Sequence, residues 1–101
     1  MARKVVWTAA SWADLEETAD YIARDSKYYA AAFVQEVRDA ARSLRQYADR
    51  GRIVPELGNP NIRELMVRNY RLVYKQSDDL VIILAFIHGA RDLPSLWEKR
   101  T

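Results

Sequence analysis

Residues 62–88 read IRELMVRNYRLVYKQSDDLVIILAFIH, and this stretch decides the fold. Its closing run, Leu80 to Ile87, is eight apolar residues rich in Val, Ile and Leu. So short and β-branched a run predicts a central strand covered on both faces. Ser77, Asp78 and Asp79 supply the turn before it. Upstream, Ile62 to Arg68 and Arg71 to Gln76 predict two more strands, with Asn69 and Tyr70 as a tight connection or bulge between them. Arg52 to Val54 is a shorter β segment, separated by a loop, Pro55 to Asn61, that contains Gly58 and Pro60.

Toward the N-terminus the period changes from two to three and four. Trp12, Leu15, Ala19 and Ile22 form one helical stripe, with Ser11 as its expected cap and Asp14, Glu16 and Glu17 suited to the positive end of the helix dipole. Asp25, Ser26 and Lys27 interrupt the pattern. Ser26 then caps a second helix expected over residues 27–48, with the stripe Phe33, Val37, Ala40, Leu44 and Tyr47. Gly51 is the expected stop, as a residue free to take positive φ. So short a connection makes the two helices antiparallel. Arg3 to Thr8, with Val5 and Val6, predicts a first strand. Leu93 to Trp97 predicts a short terminal helix begun by Pro94 and packed back on the body. The order is β, α, α, then three or four strands. That order defines an α+β fold, a helical hairpin on one face of a mostly antiparallel sheet, with the opposite face expected to stay open.

The chain of 101 residues, half of them hydrophobic and 30% charged, fits a single domain over residues 1–101. The absence of cysteine excludes a disulfide scaffold, and one histidine without cysteine argues against a transition-metal site, so neither metal nor cofactor is expected. An apolar run of eight residues is far short of the roughly 20 that a membrane helix needs. With no export signal after Arg3 and Lys4, a cytoplasmic location and no membrane partner are expected.

The formal net charge is +2, but residues 1–48 cancel to zero with seven basic and seven acidic side chains. From Arg50 to Lys75 six cations face only Glu56 and Glu64, a local +4 that suits an anionic partner. Arg63, Arg68, Arg71, Lys75 and Arg91 lie on or beside the strands and are the candidates to contact a phosphate or target. Which of them share a face depends on register, because a slip of one residue inverts the assignment.

Three stretches carry a resemblance: Ala13-Asp14-Leu15-Glu16-Glu17 running on to Tyr21-Ile22-Ala23; Ile62-Arg63-Glu64-Leu65 with Tyr70-Arg71-Leu72-Val73-Tyr74; and Ile87-His88-Gly89-Ala90-Arg91. In this order and spacing the chain resembles the ParE/RelE superfamily of bacterial type II toxins. The resemblance implies a RelE-like fold, an N-terminal strand and helical hairpin on a four- to five-stranded sheet. It also implies a toxin held inactive in a hetero-oligomer with a cognate antitoxin encoded beside it.

Two activities divide the superfamily. RelE-like members cut mRNA on the ribosome, and ParE-like members poison DNA gyrase. For RNA cleavage the resemblance points to Arg71, and the residue types add His88 as acid or base, Arg91 as a second phosphate cation and Glu64 as a carboxylate base. Several RNA-cutting relatives carry a tyrosine just past the last strand, where this chain has Gly89 and Ala90. Lys75 is also the one lysine between Lys27 and Lys99, so the lysine-rich cleft of the RelE branch is missing. The ParE-like branch is therefore the expected one, the alternatives being a RelE-like ribosome-dependent endoribonuclease or an inactive relative that only binds its antitoxin. For the antitoxin, Trp12, Tyr28, Tyr29, Phe33, Leu96 and Trp97 are the expected apolar contacts.

Overall fold

A computed structural model describes residues 2–100. The elements are β1 (Lys4–Trp7), α1 (Ala9–Ala23), α2 (Lys27–Ser43), β2 (Arg52–Ile53), β3 (Ile62–Val67), β4 (Tyr70–Gln76), β5 (Leu80–His88) and α3 (Leu93–Arg100). One sheet orders them β1-β5-β4-β3-β2. β1 runs parallel to β5, and the remaining pairs are antiparallel. The α+β frame is the one the sequence predicts.

The β3–β4 turn falls on Arg68 and Asn69, one residue earlier than expected, since Val67 pairs directly with Tyr70. Arg68 takes a left-handed φ of 55°, the sign required of the first central residue in a II′-type loop. Tyr70 is drawn into the strand because its ring stacks on Phe86 at 5.1 Å and meets Phe33 edge-on at 5.5 Å.

α1 begins earlier than the Ser11 cap implies. Thr8 is the cap, its Oγ1 accepting from the Ser11 N–H at 3.1 Å, and Ser11 is buried inside the first turn. The last rung of β1, from the Thr8 N–H to the Ile83 carbonyl at 3.1 Å, frees Ala9 and Ala10 to start the helix. Ser26 caps α2 as expected, but the helix ends at Ser43 instead of reaching Ala48. A tighter turn then buries Leu44 and Ala48 and leaves Tyr47 65% exposed, which removes Tyr47 from the expected stripe. Gly51 is also corrected: its φ is not positive. It is small because a Cβ there would lie 2.5 Å from the Glu64 carbonyl oxygen and 2.7 Å from the Tyr74 hydroxyl. That hydroxyl accepts from the Gly51 N–H at 3.0 Å and donates to the Ala48 carbonyl at 2.6 Å, pinning the segment between α2 and β2 to the sheet.

The hairpin packs on one face through Leu15, Phe33, Val37, Leu44, Leu72 and Phe86. The expected open opposite face is corrected. α3 and the segment around Val54 cover part of it, burying Val73, Ala85, Ile87, Leu93 and Leu96 in a second cluster. One irregularity lets β5 serve both. Tyr74 pairs with Ile83 and Val73 with Ala85, so Leu84 is an extra residue and the strand changes parity there. Val81 and Ile83 face the hairpin before the bulge and Phe86 after it, while Ala85 and Ile87 face α3. The bulge sits where β1 has ended. Its loose backbone groups are met by side chains: the Phe86 N–H donates to Asp14 Oδ2 at 3.0 Å, and Arg100 Nη1 donates to the Leu84 carbonyl at 3.0 Å. Arg100 also grips Asp14 through two bonds of 2.7 and 2.8 Å, joining α3 to α1 across the end of the sheet.

Candidate functional site

The polar centre of the α3-side face is built by alternation. Glu64 on β3 and Arg71 on β4 point to the same face as Ile62 and Val73, one step along a paired ladder. Arg71 Nε donates to Glu64 Oε1 at 2.6 Å, and Nη1 and Nη2 donate to both carboxylate oxygens of Glu56 at 2.7 Å. The second oxygen of Glu64 accepts from Arg52 Nε at 2.6 Å. The Glu64 side chain is fully buried and that of Arg71 is 6% exposed.

Two guanidinium and two carboxylate groups sum to zero charge, and each nitrogen of Arg71 has a partner. The bidentate Arg71 fork pulls the Glu56 carboxyl down to about 2. The same bonds, those from Glu56 first, raise the Arg71 pKa against the opposing effect of burial. A phosphate could bind the Arg71 fork only by displacing Glu56, which already occupies it in the planar bidentate manner of an oxyanion. Neither Glu56 nor Arg52 is among the residues that sequence reasoning selects. Their role depends on β2 pairing with β3 through Arg52 and Glu64, a two-residue contact with no sequence periodicity.

His88 lies on the other face. It pairs with Tyr70, whose ring it meets edge-on at 5.4 Å, and Tyr70 belongs to the hairpin-side core. Its Nδ1 accepts from the Ala90 N–H at 3.1 Å. Register thus separates His88 from Arg71 and Glu64 by the thickness of the sheet. Arg91 follows in the exposed turn after β5, and among the described residues its side chain forms no ion pair.

The other cations are scattered or engaged. Arg63 faces the hairpin side, donates from Nη1 to the Gly51 carbonyl at 2.8 Å and lies 3.7 Å from Asp49. Arg68 pairs with Glu36 at 2.9 Å. Lys75 is exposed on the α3 side, at the mouth of an apolar groove it shares with Ile62, Leu84 and Trp97. The local +4 of the sequence is therefore halved by ion pairs to two carboxylates outside residues 50–75, Asp49 and Glu36, while the rest of the pairing is internal to the stretch.

Of the expected antitoxin contacts, Trp12, Tyr28 and Tyr29 are 38, 79 and 69% exposed. Tyr28 and Tyr29 meet edge-on at 6.0 Å. Phe33 and Leu96 lie in the core of the isolated chain, Phe33 against Tyr70 and Phe86, Leu96 in the α3-side cluster. Trp97 is half-buried beside that cluster.

This frame is shared with a class of small toxins. The fold matches a solved structure of the chromosomal ParDE TA system from P. aeruginosa with a TM-score of 0.71, covering 86% of this chain and 96% of that one at 22% identity. At the level of sequence, residues 5–93 match the family described as the ParE toxin of the type II toxin-antitoxin system parDE. A curated relative, Toxin RelE2 of Caulobacter vibrioides (strain ATCC 19089 / CIP 103742 / CB 15), is 38% identical over 89 residues, 87% of this chain and 97% of its own. The chain belongs to this ParE family of type II toxins. An antitoxin partner follows from that membership. Among the described residues, no helix is long and apolar enough to cross a membrane.

Proposed function

We propose that this toxin, a single domain over residues 1–101, arrests growth by binding and poisoning DNA gyrase in the cytoplasm, and that its antitoxin neutralises it in a hetero-oligomeric complex. The reading rests on one observation: Arg71 and Glu64 are locked with Glu56 and Arg52 on one face, and His88 projects from the other. RNA cleavage beside a ribose hydroxyl needs an acid, a base and a phosphate-binding cation around one phosphodiester, and this separation speaks against it. A ribosome-dependent endoribonuclease is the second reading. It is favoured by the exposed corner of His88 and Arg91 and by the name of the Caulobacter relative.

The test is precursor incorporation in the first minutes after inducing the protein alone in bacteria. Gyrase poisoning predicts early loss of labelled thymidine uptake while labelled methionine uptake continues, and undiminished arrest by His88→Ala. Early loss of methionine uptake that His88→Ala abolishes would overturn the proposal in favour of the second reading.

A further inference from the structure

We propose that a second, basic groove, formed by β1 and α2, binds the phosphodiester backbone of a single nucleic-acid strand. The groove, about 480 Å³ in volume, lies between the outer strand of the sheet and the C-terminal half of α2. Arg3 and Lys4 form one wall, Arg38, Arg42 and Arg45 the other, and no acidic residue lines it. Among the described residues none of these five cations has an ion-pair partner. Arg3 Nε donates to the Ser77 carbonyl at 2.7 Å and is the one side chain of the five held by the protein.

These residues come from the half of the sequence whose formal charge is zero, so the concentration of charge arises in space and not along the chain. Arg38 and Arg42 lie four residues apart on one stripe of α2, and Arg45 follows in the turn just after Ser43, lining the same groove. Uncompensated like charges so close repel one another, a cost that a polyanion relieves by releasing its own counterions. Four of the five are arginines, whose planar forks match phosphate oxygens. Trp7 in the lining, braced edge-on by Trp12 at 5.4 Å, supplies an aromatic face of the kind on which bases stack in single-strand grooves.

An acidic peptide added as a strand to β1 fits less well. The Arg3 N–H already donates to the Arg45 carbonyl at 2.7 Å, so the turn after α2 interrupts that edge. The inference is independent of the gyrase reading, because it concerns the isolated chain and a bare nucleic-acid strand.

Fluorescence anisotropy of the full chain with labelled oligo(dT) and oligo(rU) of about 15 nucleotides tests it. Five phosphate contacts predict that log K falls with log salt at a slope of about −3.5, taking about −0.7 per contact for a single strand. R42Q/R45Q, at two exposed positions, then lowers the slope to about −2 and weakens binding about 25-fold at roughly 0.1 M salt. K27Q, an exposed cation outside the groove, leaves both unchanged. Binding to either oligonucleotide with this pattern supports the proposal, and the ratio of the two affinities tells DNA from RNA. No binding, binding that R42Q/R45Q does not weaken, or binding of a polyglutamate peptide in preference to both oligonucleotides would overturn it. Circular dichroism of R42Q/R45Q separates lost contact from lost fold.

Discussion

Arg71 illustrates how a single residue's neighbours decide its chemistry. In the sequence it is the arginine of a Tyr-Arg-Leu-Val-Tyr segment and the leading phosphate ligand; in the fold it is 5% exposed and held by two carboxylates. One of those carboxylates gives the pair a pH signature. Glu56 has its folded pKa lowered from 4.5 to about 2, so the folded state favours the charged form more than the unfolded chain does. Its contribution to stability is complete above pH 4.5 and fades as pH falls toward 2. Glu56→Gln is therefore expected to flatten the acid limb of a stability–pH curve over that window while leaving Arg71 folded against Glu64. Urea midpoints between neutral pH and pH 2 check this, and an unchanged acid limb would contradict it. Residue identity and its Tyr-Arg-Leu-Val-Tyr setting make Arg71 a candidate. Its partner Glu56, in a loop between Pro55 and Leu57, carried no pattern that links it to a strand residue fifteen positions away.

At the scale of elements, periodicity makes the helical hairpin legible, because each helix carries an apolar stripe beside polar positions, and β-branched content bounded by turn residues marks the three long strands. Neither signal assigns a face where every residue is apolar. The run from Leu80 to Ile87 reads the same on both faces, so nothing in it marks Leu84 as the extra residue or shows the change of parity that sends Phe86 to the hairpin and Ile87 to α3. The cap of α1 was missed for a related reason: Thr8 and Ser11 are both good caps, and the choice was made by where β1 stops pairing. Asp14 shows how elements depend on one another. It leaves α1 to accept the Phe86 N–H and to hold Arg100, so Asp14→Ala strands one buried donor and frees one cation. The expected loss is about 3 kcal/mol, measured by urea unfolding, since an unmet buried donor and a broken ion pair each cost about 1–3 kcal/mol in partly buried settings. A loss below about 0.5 kcal/mol, typical of a surface site, would mean that the bulge is stable without its cap.

Across the whole molecule, the surface divides into regions of different character. The start of α2 presents Tyr28 and Tyr29, large aromatic rings on an exposed helix end, whereas the outer face of β1 and the end of α2 present cations. Aromatic anchors account for a large share of binding energy in protein interfaces, and charged grooves accelerate the capture of polyanions. If the antitoxin takes the aromatic end, Y28A/Y29A weakens antitoxin affinity by roughly 10- to 100-fold in calorimetry with no change in the melting temperature of the toxin alone. Unchanged affinity would place the antitoxin elsewhere. None of this partition was readable from net charge, because ion pairing between distant residues such as Arg68 and Glu36 dilutes one cationic stretch while folding gathers another from residues 3 to 45.

The parallel pairing of β1 with β5 sets a timetable during synthesis. Lys4 is aligned with Leu80, 76 positions later, so the first strand leaves the ribosome with its partner not yet made. At about 5–20 residues per second the wait is roughly 4–15 s, and throughout it the sheet lacks the strand that joins β1 to β4. Until β5 is made, the apolar stripes of α1 and α2 that pack on Val81, Ile83 and Phe86 have no cover, so the last strand to be made is the one that closes the core under the first elements made.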